Sequence, residues 1–222
     1  MSEFWFVLVG CVVAIHGAVR AAWSPCGQSM LASLTPIAER ARRSSWRVTV
    51  TAFAIGAVAA GALGGTVLGA AGSLLPGSEW RAPVVLAVLL AALTIDGTPL
   101  RRRMPRIKRQ VNEDWMARYR GWVYGFGFGA QLGLGFITLV ACAAIYATFA
   151  IELLSGSMWA GAAIGAVFGA TKAMTLLPTR LARDPESLMA LHRRLLARER
   201  GAQEALIAAE VLALLAVTAI LV

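Results

Sequence analysis

The chain has 222 residues, 58% of them hydrophobic and only 15% charged, with a mean hydropathy of +0.68 and a formal net charge of +9. A soluble domain is normally about a quarter charged, so a water-soluble globular fold is excluded. The basic excess lies beside apolar runs, where anionic headgroups attract Lys and Arg. Few aromatics stand in the basic segments to stack on bases, apart from Trp115 and Tyr119, so no nucleic-acid partner is expected.

The first apolar run starts at Phe4 and is interrupted at Ser24-Pro25-Cys26-Gly27. No basic segment precedes it, so it reads as a mature span rather than a cleaved signal. It resumes as a shorter helix from Gln28 to about Ala38. The second run extends from about Val48 to Leu75 and ends at the turn signal Pro76-Gly77. The third, 82–95, is short for the roughly 20 residues a span needs. The fourth begins near Gly121 and bends towards Leu154, the fifth is Met158 to Leu177, stopped by Pro178, and the sixth is about Ala205 to Val222. Asp184-Pro185-Glu186-Ser187 carries the signature of a helix start. With Leu188, Leu191 and Leu195 at helical spacing among arginines, it predicts an amphipathic surface helix over 184–200.

Of the 21 Lys and Arg residues, 18 fall in three segments, at 40–47, 101–120 and 180–200. With six spans these are the first, third and fifth loops. Basic loops stay in the cytoplasm, which predicts a multi-pass protein of the cytoplasmic (inner) membrane with both termini outside the cytoplasm. A shift of 113 residues pairs Thr35 with Thr148, Glu39 with Glu152, Ser44 with Ser157, Trp46 with Trp159 and Gly56 with Gly169. The expected fold is an all-α polytopic membrane protein, one domain over 1–222. It holds two inverted three-helix repeats (1–100 and 121–222), joined by the basic loop 101–120, with broken first and fourth helices. Inverted-repeat transporters place their sites near the bilayer midplane, on such discontinuous helices. Glycines at helical spacing, Gly61 to Gly65 and Gly161 to Gly169, read as close helix packing.

Proline and glycine at the first break free backbone groups that survive at membrane depth only inside a cavity. Cys26 then stands at a half-helix N-terminus, a position that makes a thiol more reactive; a buried, inert cysteine in a proline kink is the alternative. Charges inside spans mark pathways or structural pairs. His16 and Arg20 share a face of the first helix, and Arg20 with Glu210 is the expected buried pair. Ser24, Pro25, Gln28, Gln131 and Thr138 join them as candidate substrate-binding residues on the broken segments. Lys172 is expected to snorkel to the interface, and Glu39 and Glu152 read as gates or as interface residues. No metal cluster and no cofactor are expected, and an odd cysteine count (Cys11, Cys26, Cys142) argues against a secreted disulfide scaffold.

An apolar first helix, Ser24-Pro25-Cys26, then a short helix ending near Pro36 and a basic loop resemble the CcdA/DsbD family of transmembrane thiol-electron carriers, which the sequence reading sets within the LysE-type exporter superfamily. The resemblance implies one Pro-Cys cysteine from each half, working as a redox pair with a thioredoxin-like partner. Here Gly133-Leu134-Gly135-Phe136-Ile137-Thr138-Leu139 approaches the second motif, with Thr138 at the proline position and Leu139 at the cysteine position. Cys142 lies three residues later. Because resolving a mixed disulfide needs a second thiol, the leading expectation is a transporter. It would move a small polar or anionic cargo by alternating access at a midplane site. The alternatives are a thiol–disulfide oxidoreductase using Cys26 and Cys142 as catalytic residues, and a membrane scaffold. Lipids are expected around the chain, and a homodimer is compatible with it.

Overall fold

A computed structural model of the chain describes residues 3–104, 114–137 and 140–221. Among the described residues the protein is all-helical, with eleven α-helices and no strands. Helix α1 (Glu3–Arg20) continues into a 3-10 turn at Ala21–Trp23. The apolar stretch Phe4–Trp23 holds 20 residues, about 30 Å at helical rise, enough to cross a hydrocarbon core.

The expected break follows at once. The Ser24 hydroxyl accepts the Gly27 N–H at 3.1 Å and donates to the Ala21 carbonyl at 2.7 Å. Pro25 occupies the first turn of α2 (Pro25–Ser33), where its missing N–H costs nothing. A Cβ on Gly27 would strike the Ala21 carbonyl and the Ala22 backbone, so only glycine lets α2 fold back over the turn. Thr35 then caps α3 (Pro36–Ala41) through the Ala38 N–H at 3.3 Å.

Helix α4 (Trp46–Ser73) is the centre of the bundle. It packs between α7 (Gly121–Leu134) and α9 (Met158–Met174). Small residues at four-residue spacing make this possible. A Cβ on Gly61, Gly65 or Gly69 would collide with the backbone carbonyl of Gly165, Gly161 or Ser157, and one on Gly125, Gly129 or Gly133 with that of Thr49, Phe53 or Ala57. Such backbone-to-backbone contact replaces the hydrophobic drive that lipid cannot supply. The packing role expected for these glycines is the one observed.

Helix α5 (Arg81–Gly97) packs against α8 (Ala143–Ser155) and α11 (Glu199–Leu221), while α1 packs against α8, α9 and α11. A four-residue helix, α6 (Trp115–Arg118), precedes α7. Helix α10 (Pro185–Ala197) begins at the expected cap. Asp184 accepts the Ser187 N–H at 2.8 Å, and the Ser187 hydroxyl accepts the Asp184 N–H at 3.1 Å.

Four described segments are long and apolar enough to cross a membrane: Phe4–Trp23, Trp46–Ser73, Met158–Leu181 and Glu199–Leu221. The chain is a membrane protein with several apolar helices. The third expected span is the 17-residue α5, about 26 Å long. The fourth comes as two pieces, α7 and α8, of 14 and 13 residues.

Candidate functional site

The two breaks place two thiols. Cys26 lies in the first turn of α2 and is buried; Cys142 is buried at the N-cap of α8. Cys26 is held by the local sequence, through the Ser24 cap and Pro25. Cys142 is held from elsewhere. Asp96, at the end of α5, accepts the Ala143 N–H at 2.9 Å and the Ala144 N–H at 3.0 Å. A carboxylate from another helix thus caps the start of α8, where orphan donors and the helix dipole favour negative charge. The Cys142 thiol points to the Gly17 carbonyl, 3.8 Å away. Helix α8 restarts after Cys142, so this cysteine begins the second half-helix although Thr138 and Leu139 match the motif's register. Thr138 itself lies outside the described residues, as does Leu139.

The thiols belong to two different packed clusters. Cys142 sits among Val13, Ala14, Ile145 and Leu206, and Cys26 among Met30, Leu34, Phe53 and Phe128. Lys172 of α9 joins them. Its ammonium is within electrostatic reach of both sulfurs and lies 5.3 Å from the centre of the Phe168 ring. It also lines a narrow crevice with Ala21, Gly27, Met30, Phe53 and Leu132. The expected snorkelling of Lys172 is therefore corrected: its side chain turns inward to the break. None of Cys11, Cys26 and Cys142 is in a disulfide.

The other expected binding residues do not converge. Arg20 does not pair with Glu210. Its guanidinium donates to Gln203 Oε1 at 2.7 Å and to Glu199 Oε1 at 3.1 Å, because both acceptors stand at the start of α11 level with the end of α1. Glu210, two turns further along α11, faces Asp96 instead. The His16 ring is engaged with its own helix, Nδ1 lying 2.9 Å from the Val12 carbonyl. The Ser24 hydroxyl is consumed as the cap, Pro25 is exposed, and Gln28 and Gln131 are half-buried. None of His16, Arg20, Gln28, Gln131 and Glu210 lines the crevice beside Cys26. Trp23 donates from Nε1 to the Leu195 carbonyl of α10 at 2.9 Å, so the first break lies at the α10 end of the bundle.

Glu39 and Glu152 are both buried. Glu39 accepts from the Thr49 hydroxyl at 2.6 Å, from the Tyr124 hydroxyl at 2.7 Å and from Arg42 at 3.0 Å. It ties α3 to α4 and α7. Glu152 abuts the α4–α9 seam near Gly65 and Gly165. Among the described residues no His, Cys, Asp and Glu group is arranged to hold a metal.

The family described as the cytochrome C biogenesis protein transmembrane region matches residues 6–198. The chain belongs to this family. Its relatives include the methylamine utilization protein MauF of Paracoccus versutus, 31% identical over 187 residues, covering 80% of this chain and 68% of the relative. MauF of Methylorubrum extorquens is 34% identical over 196 residues, covering 84% and 66%. MauF of Methylophilus methylotrophus is 34% identical over 169 residues, covering 71% and 57%. The chain thus spans only 57 to 68% of the length of these relatives. No solved structure matches it. Membership of the family confirms the CcdA/DsbD resemblance and overturns the transporter expectation, whose cargo residues the fold also scatters. Kinship with LysE-type exporters finds no support.

Proposed function

We propose that the chain is a CcdA/DsbD-like transmembrane thiol–disulfide electron carrier, with Cys26 and Cys142 as its redox pair. The single observation behind this is the placement of two buried thiols at the starts of α2 and α8, both within electrostatic reach of the Lys172 ammonium. The second thiol is what resolves a mixed disulfide. A thioredoxin-like dithiol protein delivers the electrons near α10, and an external thiol protein receives them. The relatives are named for methylamine utilization, which suggests that the recipient serves amine metabolism.

In this reading α1–α2, α4 and α5 form one inverted repeat, and α7–α8, α9 and α11 the other. The basic loops lie in the cytoplasm, both termini lie outside it, and lipid surrounds the bundle. The roles assigned to Cys26 and Cys142 are tested by trapping. With Cys142→Ser, a thioredoxin carrying a single active-site cysteine is expected to accumulate as a mixed disulfide on Cys26. With Cys26→Ser it is not. Equal trapping in both variants, or none in either, rejects the assignment.

A further inference from the structure

Glu210 is fully buried, and neither of its carboxyl oxygens has a hydrogen-bond partner that brings a donor. A buried carboxyl in that position is costly unless something supplies a proton. The group facing it is Asp96, whose two oxygens accept the Ala143 and Ala144 N–H groups. Asp96 therefore reads as the ionised member of the pair. One proton held by Glu210 and donated towards Asp96 satisfies both carboxyls, since two close carboxyls do not both ionise.

The pair stands beside Cys142. The charged groups within electrostatic reach of that thiol are Asp96 from α5, Lys172 from α9 and Glu210 from α11. From α1, Arg20 faces Asp96, while His16 is engaged with its own backbone. The main chain beside the pair is tied to α1 and α11. Gln203 Nε2 donates to the Asp96 carbonyl at 2.9 Å, Arg20 donates to Gln203, and Arg20 pairs with Glu199, whose side chain is 49% exposed.

We propose that Glu210 is the proton donor to Cys142 when the Cys26–Cys142 disulfide is reduced, and that Asp96 positions it. This rests on the electron-carrier reading. A thiolate of the incoming dithiol attacks the Cys26 sulfur, and a mixed disulfide forms as the Cys26–Cys142 bond breaks. The electron pair leaves on Cys142 as a buried thiolate, which takes the Glu210 proton. The second thiol of the dithiol, as thiolate, then attacks the mixed disulfide and releases Cys26 as a thiolate, protonated from the crevice. The dithiol is oxidised, the pair is reduced, and Glu210 regains its proton from water.

The test uses the full chain in lipid nanodiscs, oxidised and then reduced in a single turnover by dithiothreitol, with free thiols counted by alkylation. Glu210→Gln keeps size and a hydrogen-bond donor towards Asp96 but transfers no proton. It is expected to keep the wild-type melting temperature and to slow reduction roughly a hundredfold, within the range of general acid catalysis. The infrared spectrum of the wild type is expected to show a protonated-carboxyl stretch, sensitive to D2O, that Glu210→Gln lacks. Reduction of Glu210→Gln at the wild-type rate, absence of that band from the wild type, or the same slowing in Lys172→Met but not in Glu210→Gln, overturns the donor role. If the wild type never forms the Cys26–Cys142 bond, the carrier reading fails and the donor role with it, a result distinct from the other three.

Discussion

Asp184 and Glu39 are two carboxylates with opposite surroundings. The Ser187 N–H and hydroxyl hold the exposed Asp184 carboxyl below its ordinary value of 3.8. A lowered folded value means that the cap is fully present above the ordinary value and is lost as pH falls through the folded one. Amide exchange at Ser187 should therefore accelerate over that acid window, and Asp184→Asn should abolish the pH dependence. Glu39 is buried among three donors. Glu39→Gln leaves the Thr49 and Tyr124 hydroxyls and Arg42 with a weaker acceptor and is expected to cost about 2 kcal/mol in reversible unfolding. Cys26 was legible in the sequence because Ser24, Pro25 and Gly27 announce the break locally. Cys142 was named as its candidate partner, but its place at a helix start was not legible, because that start is set by Asp96, which sits 46 residues earlier and on another helix. Lys172 near a span end defaults to snorkelling, and only the fold shows it turned towards the crevice.

The α4–α9 seam is the element most sensitive to bulk. Gly65 and Gly161 each approach the other's backbone closely enough to exclude a Cβ. Gly161→Leu should push the helices apart, cost roughly 3 kcal/mol or more, and lower the melting temperature far more than Gly201→Leu, where a Cβ meets nothing within 4 Å. The helices themselves followed from the apolar runs. α4 is Trp46–Ser73 where about 48–75 was expected, and α9 begins at Met158 as expected. α11 starts at Glu199, six residues early, because polar residues in its first turns find partners in Arg20 and Asp96. Hydropathy alone places that stretch outside a span.

Among the described residues the bundle has two apolar clusters, one holding Cys142 and the other Cys26. Accessibility tagging of the two ends is expected to find both on one side of the membrane, and labels on opposite sides reject the even span count. A bond between the sulfurs would close a chain segment of over a hundred residues, which in loop-entropy terms is worth roughly 4 to 5 kcal/mol. The oxidised form should accordingly resist detergent unfolding better than the reduced form. Loading the molecule with electrons would then also slacken it, so that its redox charge could be followed as a change in mechanical toughness.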